Sequence, residues 1–193
     1  MARPFEFNRN EALDKAMLLF WSKGYFNTSS QDIVDHLGLS RSSIYNSFTD
    51  KRTLFIEALK LYISKESKAL TDALGQMTPD KKNLKLLLET VVENNFLKIK
   101  PQGCLVLNTT IEIANHDDEI KQVIESNVRQ TIAAFEKFIQ EGQDQGNFRK
   151  SITAEELSIT LFHQLAALRV MGKLITDKSF FRKTIQSFIQ LFN

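Results

Sequence analysis

The sequence predicts an all-α protein, and three observations carry that prediction. Apolar residues recur at i, i+3, i+4 and i+7 through most of the chain, the period of an amphipathic helix. Fifteen phenylalanines stand against seven glycines and three prolines, which points away from sandwiches, barrels and disordered tails. Hydroxyl or acidic residues precede the apolar runs and glycines follow them, as helix caps require. About nine helices can be drawn, and 193 residues that are 42% hydrophobic suffice for a helical bundle with a small appended module.

The first helix runs from about Asn10 to Lys23, turns Leu13, Ala16, Met17 and Phe20 inward, and stops at Gly24. Arg3, Pro4 and Arg9 precede it as a short arm. Thr28 to Phe48 then holds two short helices broken by Gly38, with Ile33, Val34 and Leu37 facing inward from one and Ile44 and Phe48 from the other. Thr28, Ser29 and Ser30 crowd the first start, where a hydroxyl can accept from free N–H groups, and Ser40 caps the second. Gly38 permits the left-handed turn, and Leu39 packs back on it. This is a helix-turn-helix. Its second helix carries Arg41, Ser42, Ser43 and Asn46 away from Ile44 and Phe48, a short donor-rich surface that fits a major groove. Such a face also suits a helical adaptor that uses the motif for protein contact, and salt-dependent affinity for duplex DNA separates the two readings.

A long helix from Asp50 to about Leu74, with Leu54, Ala58, Leu61 and Tyr62 inward, connects this head to the rest. The boundary is placed between residues 1–50, the helix-turn-helix unit suited to DNA, and residues 51–193, a helical unit expected to dimerise. Gly75 to Pro79 is a break, with Pro79 expected as the first residue of the next helix after a Thr78 cap. That helix carries Leu84, Leu87, Leu88, Val91, Val92, Phe96 and Leu97 and ends at Pro101 to Gly103. Cys104 to Ala114 is a short apolar helix, and a longer one from Asp117 and Asp118 closes at Gly142 and Gly146. Thr153 and Glu156 form a capping box for a helix apolar on several sides. The last helix has one narrow stripe. Leu161, Leu165 and Leu168 of the former and Phe181, Ile185, Phe188, Ile189 and Phe192 of the latter are expected at a twofold dimer interface, with ordinary core as the alternative.

Net charge is only +2, so any contact with DNA must come from a local patch. The N-terminal segment lacks an apolar stretch of signal-peptide length, and no run approaches the roughly 20 apolar residues that span a bilayer, so a cytoplasmic location is expected. The lone Cys104 cannot form an internal disulfide. With no His-Glu-x-x-His pair, phosphate-binding glycine loop or Gly-x-Ser-x-Gly elbow, the chain does not read as an enzyme, and no metal or cofactor is expected.

Phe20, Gly24-Tyr25, Thr28-Ser29, Asp32-Ile33-Val34, Gly38-Leu39-Ser40, Ile44-Tyr45, Phe48 and Lys51, followed by Leu54-Phe55, resemble the N-terminal domain of the TetR family of bacterial transcriptional regulators. Arg52 stands where that family commonly has an acidic residue, and Ser42 where many members carry glycine. The resemblance implies a homodimeric repressor that binds a palindromic operator and is released by a small molecule. Arg41, Ser42, Ser43 and Asn46 are then expected at base edges. Thr28, Ser29 and Lys51 are expected at phosphates, and the resemblance puts the Tyr45 hydroxyl on the DNA backbone. It also implies a ligand cavity, for which Phe96, Asn108, Glu112, His116, Phe162, His163 and Met171 are candidates because they are polar or deformable among apolar neighbours. Cys104, at a helix start, reads either as an inert core thiol or as a redox or electrophile sensor, the latter a feature of some members.

Overall fold

The computed structural model describes residues 7–96 and 102–193, without the side chains of residues 95 and 96. Among the described residues there are nine α-helices: α1 Arg9–Lys23, α2 Ser30–Leu37, α3 Arg41–Phe48, α4 Lys51–Gln76, α5 Lys81–Phe96, α6 Leu105–Glu112, α7 Asp118–Asp144, α8 Ala154–Met171 and α9 Lys178–Ile189. A 3-10 turn, Gln190–Phe192, ends the chain.

Two apolar cores organise these helices. The first gathers α1, α2, α3, the N-terminal part of α4, α6 and the start of α7, with Phe20, Ile33, Ile44, Phe48 and Phe55 at its centre. Phe20 meets Phe55 edge to face at 5.0 Å, the arrangement aromatic quadrupoles prefer. The second core joins the rest of α4 and α7 to α5, α8 and α9 through Leu84, Leu88, Phe135, Ile139, Leu161, Phe181 and Phe192. Each fully buried side chain of this size contributes about 1.5–3 kcal/mol relative to exposure. Because α4 and α7 each belong to both cores, they act as the two rods on which the head and the bundle are mounted.

Two sequence expectations change here. Helix α5 begins at Lys81, not at Pro79, because the Asp80 carboxylate accepts from the Asn83 N–H at 2.8 Å and so caps the helix in place of Thr78. Leu161, Leu165, Leu168, Phe181, Ile185, Phe188 and Phe192 are at most 7% exposed, and Ile189 is half-buried against the same cluster. The seven buried residues hold α8 and α9 to α5 and α7 within one chain and leave almost no surface for a second one, whereas Ile189 keeps part of its surface outward. The outward apolar residues of those helices are Ile159, Val170 and Phe180, with Leu191 just beyond α9, all between 37% and 43% exposed.

Candidate nucleic-acid interface

Local hydrogen bonds fix the head before any tertiary contact is counted. Ser29 accepts from the Asp32 N–H at 3.1 Å while its own N–H donates to Asp32 at 2.8 Å, a reciprocal capping box at the start of α2. The Lys23 ammonium, 2.6 Å away, and Ser29 together hold the Asp32 carboxyl well below the usual carboxylate range. At the other end of α2, Gly38 adopts φ 67°, ψ 30°, and its N–H returns to the Val34 carbonyl at 3.0 Å. Ser40 then accepts from the Ser43 N–H at 3.1 Å and caps α3. After α3 the chain leaves through Thr49, at φ 64°, ψ −61°, with the Asp50 N–H bonded to the Phe48 carbonyl at 2.7 Å. That is a γ-turn of the rare strained kind, and it reverses the chain into α4, which Asp50 caps through the Thr53 N–H at 2.7 Å.

The result is a short helix with one buried and one presented face. Ile44 and Phe48 are fully buried, whereas Arg41, Ser42 and Asn46 are exposed. The Arg41 guanidinium lies 5.8 Å from the Tyr45 ring centroid, and the Tyr45 hydroxyl donates to Ser30 at 3.0 Å, linking α3 to the start of α2. Ser43 is half-buried, its hydroxyl 2.8 Å from that of Ser40 and so engaged within the cap. Lys51 is half-buried in the first turn of α4 with its ammonium 4.5 Å from the Tyr25 ring centroid, and burial lowers its pKa against the opposing pull of Glu112 and Asp32. Thr28 departs from expectation. Its side chain is buried and its hydroxyl donates to the Gly24 carbonyl at 2.5 Å, so it tightens the α1–α2 turn and does not face outward for a phosphate. Arg9 lies beside the head, paired with Glu57 at 2.6 Å and 4.5 Å from the Phe48 ring centroid, while Arg3 and Pro4 lie outside the described residues.

Behind the head, a cavity of about 270 Å³ opens between α4, α5, α6, α7 and α8. Its polar groups include Tyr62, Glu66, Cys104, Thr131 and Arg169, and Leu165 forms part of its apolar wall. Arg169 donates to Glu66 at 2.9 Å and reaches the Cys104 sulfur at 3.5 Å, while burial pushes the Tyr62 phenol far above its ordinary pKa and keeps it neutral. The candidates from sequence are elsewhere. Asn108 donates to the Gln102 carbonyl and accepts from Lys173, and Glu112 faces the α1–α2 turn. His116 and His163 are exposed, Phe162 and Met171 pack partly against the second core, and the Phe96 side chain lies outside the described residues. What sequence reasoning missed was Arg169, the one guanidinium of α8, together with Tyr62 and Glu66 one turn apart on α4. Among the described residues no group of three or more His, Cys, Asp or Glu is placed to hold a metal ion, and no helix is long and apolar enough to cross a membrane.

A capped three-helix head presenting one short polar helix, mounted on a bundle with its own cavity, is the architecture of a helix-turn-helix DNA-binding protein. Residues 12–58 match the family of bacterial regulatory proteins named tetR, and residues 84–188 match the tetracyclin repressor-like C-terminal domain. The chain belongs to the TetR family and is a DNA-binding transcriptional regulator. It is 30% identical over 146 residues to the uncharacterized HTH-type transcriptional regulator YezE of Bacillus subtilis (strain 168), covering 76% of this chain and 75% of that one. It is 31% identical over 148 residues to the HTH-type transcriptional repressor ComR of Escherichia coli (strain K12), covering 75% and 69%. Its fold superposes with a TM-score of 0.85 on a cysteine mutant of the TetR family transcriptional regulator CifR complexed with 26-base-pair operator DNA, at 22% identity and 100% coverage of both chains.

Proposed function

We propose that the protein is a repressor that binds a palindromic operator as a twofold dimer and is released when a small molecule enters the cavity. The observation that carries this reading is the α3 face. Arg41, Ser42 and Asn46 are exposed on a helix whose remaining residues are locked by caps and core. A guanidinium and an amide reaching base edges give sequence preference, and Lys51 at the α4 start gives an anchoring phosphate contact. Ser29 keeps its place in the proposal as a phosphate neighbour at the α2 start, and Ser43 and Tyr45 support the helix more than they read the bases. In this reading residues 1–50 are the DNA-binding unit and residues 51–193 the regulatory one, acting in the cytoplasm without catalysis. Dimerisation is supported by the outward apolar residues Ile159, Val170, Phe180 and Leu191, and by the length of α3, whose eight residues span too few base pairs for one copy to be selective. The repressor named ComR supports the direction of control.

Selection of bound duplexes from a random pool at two salt concentrations tests the proposal. Enrichment of one sequence with a steep salt dependence is expected. A folded protein that enriches nothing at low salt would point instead to an adaptor.

One observation favours a second mode of control. Cys104 ends the loop before α6 and is buried at the cavity wall with the Arg169 guanidinium 3.5 Å from its sulfur, where a reagent that enters the cavity meets it. In that mode thiol modification releases DNA. N-ethylmaleimide then abolishes operator binding by the wild type and spares Cys104→Ser, whereas equal behaviour of the two removes the mode.

A further inference from the structure

Glu112 is the last residue of α6, where the helix dipole disfavours a carboxylate. It is held there from outside the helix. One oxygen accepts from the Tyr25 N–H at 2.9 Å and the other from the Phe26 N–H at 2.7 Å, so both oxygens are engaged by the turn that joins α1 to α2. That turn is shaped to receive the carboxylate. Gly24 sits at φ 84°, and a Cβ there would lie 2.9 Å from both Glu112 oxygens, closer than side chains tolerate. Lys51, the proposed phosphate contact, lies over the ring of Tyr25, and Glu112 is its largest stabilising charge. The α1–α2 turn is thus fastened to one end of α6, and Lys51 is drawn to the same place by the Tyr25 ring and the Glu112 charge.

The other end of α6 is at the cavity. Cys104 and Val106 form part of the cavity wall, and the Gly103 carbonyl accepts from the Trp21 indole at 3.2 Å. Eight residues span about 12 Å, so the helix is a short rigid rod between the cavity and the head. We infer that Glu112 is the positioning residue that fixes the DNA-binding head to α6, so that what fills the cavity at one end of this helix is read at the other as a change in DNA affinity. This rests on the cavity being the effector site. It adds the residue through which occupancy reaches α2, α3 and Lys51.

Two substitutions test it without an identified effector. Ala73, on the α4 wall of the cavity, is replaced in Ala73→Phe to occupy the space with a side chain, and Glu112→Gln keeps the shape while setting an amide N–H₂ against one of the two N–H donors. Operator affinity is measured by fluorescence anisotropy for the wild type, each single variant and the double variant. Ala73→Phe is expected to shift affinity by about fivefold or more when Glu112 is present and to have no effect in the Glu112→Gln background. An equal shift in both backgrounds overturns the role of Glu112 and leaves the cavity reading standing. No shift in either background overturns both. Should Glu112→Gln fail to fold, amide exchange in Ala73→Phe alone decides: altered protection of the Tyr25 and Phe26 N–H groups is expected, and unchanged protection contradicts the inference.

Discussion

Lys51 and Arg41 are both cations of the head, yet their surroundings give them different work. Lys51 is half-buried in the first turn of α4 and steadied over Tyr25, a position suited to one phosphate of any sequence. Arg41 and Asn46 are exposed along α3, free to meet base edges. Lys51→Ala should therefore weaken operator and random duplex alike and flatten the log–log salt slope by about 0.9. Arg41→Ala or Asn46→Ala should cost about 1–3 kcal/mol on the operator and little on random DNA. Competition titrations at several salt concentrations check the division, and equal losses on both duplexes for all three variants would contradict it. At this scale the sequence was informative where a residue acts on its neighbours. Ser29, Gly38 and Ser40 declare their roles because a cap bonds two or three residues away. Thr28 misled because a buried hydroxyl bonded to the Gly24 carbonyl looks, in a string of letters, like an exposed one. Glu112 was unreadable, since its partners are 86 and 87 residues distant.

Between elements, the joint of α4 with α7 rests on Arg52, which donates to Asp117 at 2.6 and 2.8 Å and to Glu119 at 3.0 Å. A guanidinium that stands where the family commonly has an acidic residue therefore ties the start of α4 to the start of α7. The Arg52 hydrogen bond is the main reason the Asp117 carboxyl titrates below its ordinary value. A depressed folded-state pKa means the unfolded chain binds the proton more readily, so this contribution is complete above pH about 4 and is lost as the pH falls through the folded value. Thermal melts between pH 5 and 3 should show the wild type losing more stability than Asp117→Asn, with a difference within about 1 kcal/mol because the pair is partly solvated. Parallel melting curves for the two proteins would contradict the assignment. Element boundaries were legible to the extent that their caps are local. Periodicity in α8 and α9 correctly indicated that a face is buried, but a period carries no address. Leu161 and Phe181 meet α5 and α7 of their own chain, whereas Ile159 and Phe180, on the thinner apolar face, remain outward.

For the molecule as a whole, two cores share α4 and α7, and α6 bridges the cavity and the head. In the proposed dimer, that arrangement would couple a ligand in the bundle to the spacing of two recognition helices, by as much as its affinity differs between the two arrangements. The cavity lay beyond the reach of sequence because its wall draws on five helices, and Arg169 and Cys104 meet across 65 residues. In the proposed complex two copies of α3 read one duplex through a twofold axis, and the symmetry of the sequences that the protein selects from a random pool reports on this. Inverted half-sites with centres about one helical turn, roughly 10 base pairs, or a multiple of it apart are predicted. A single asymmetric site saturated by one chain would rule out the twofold arrangement.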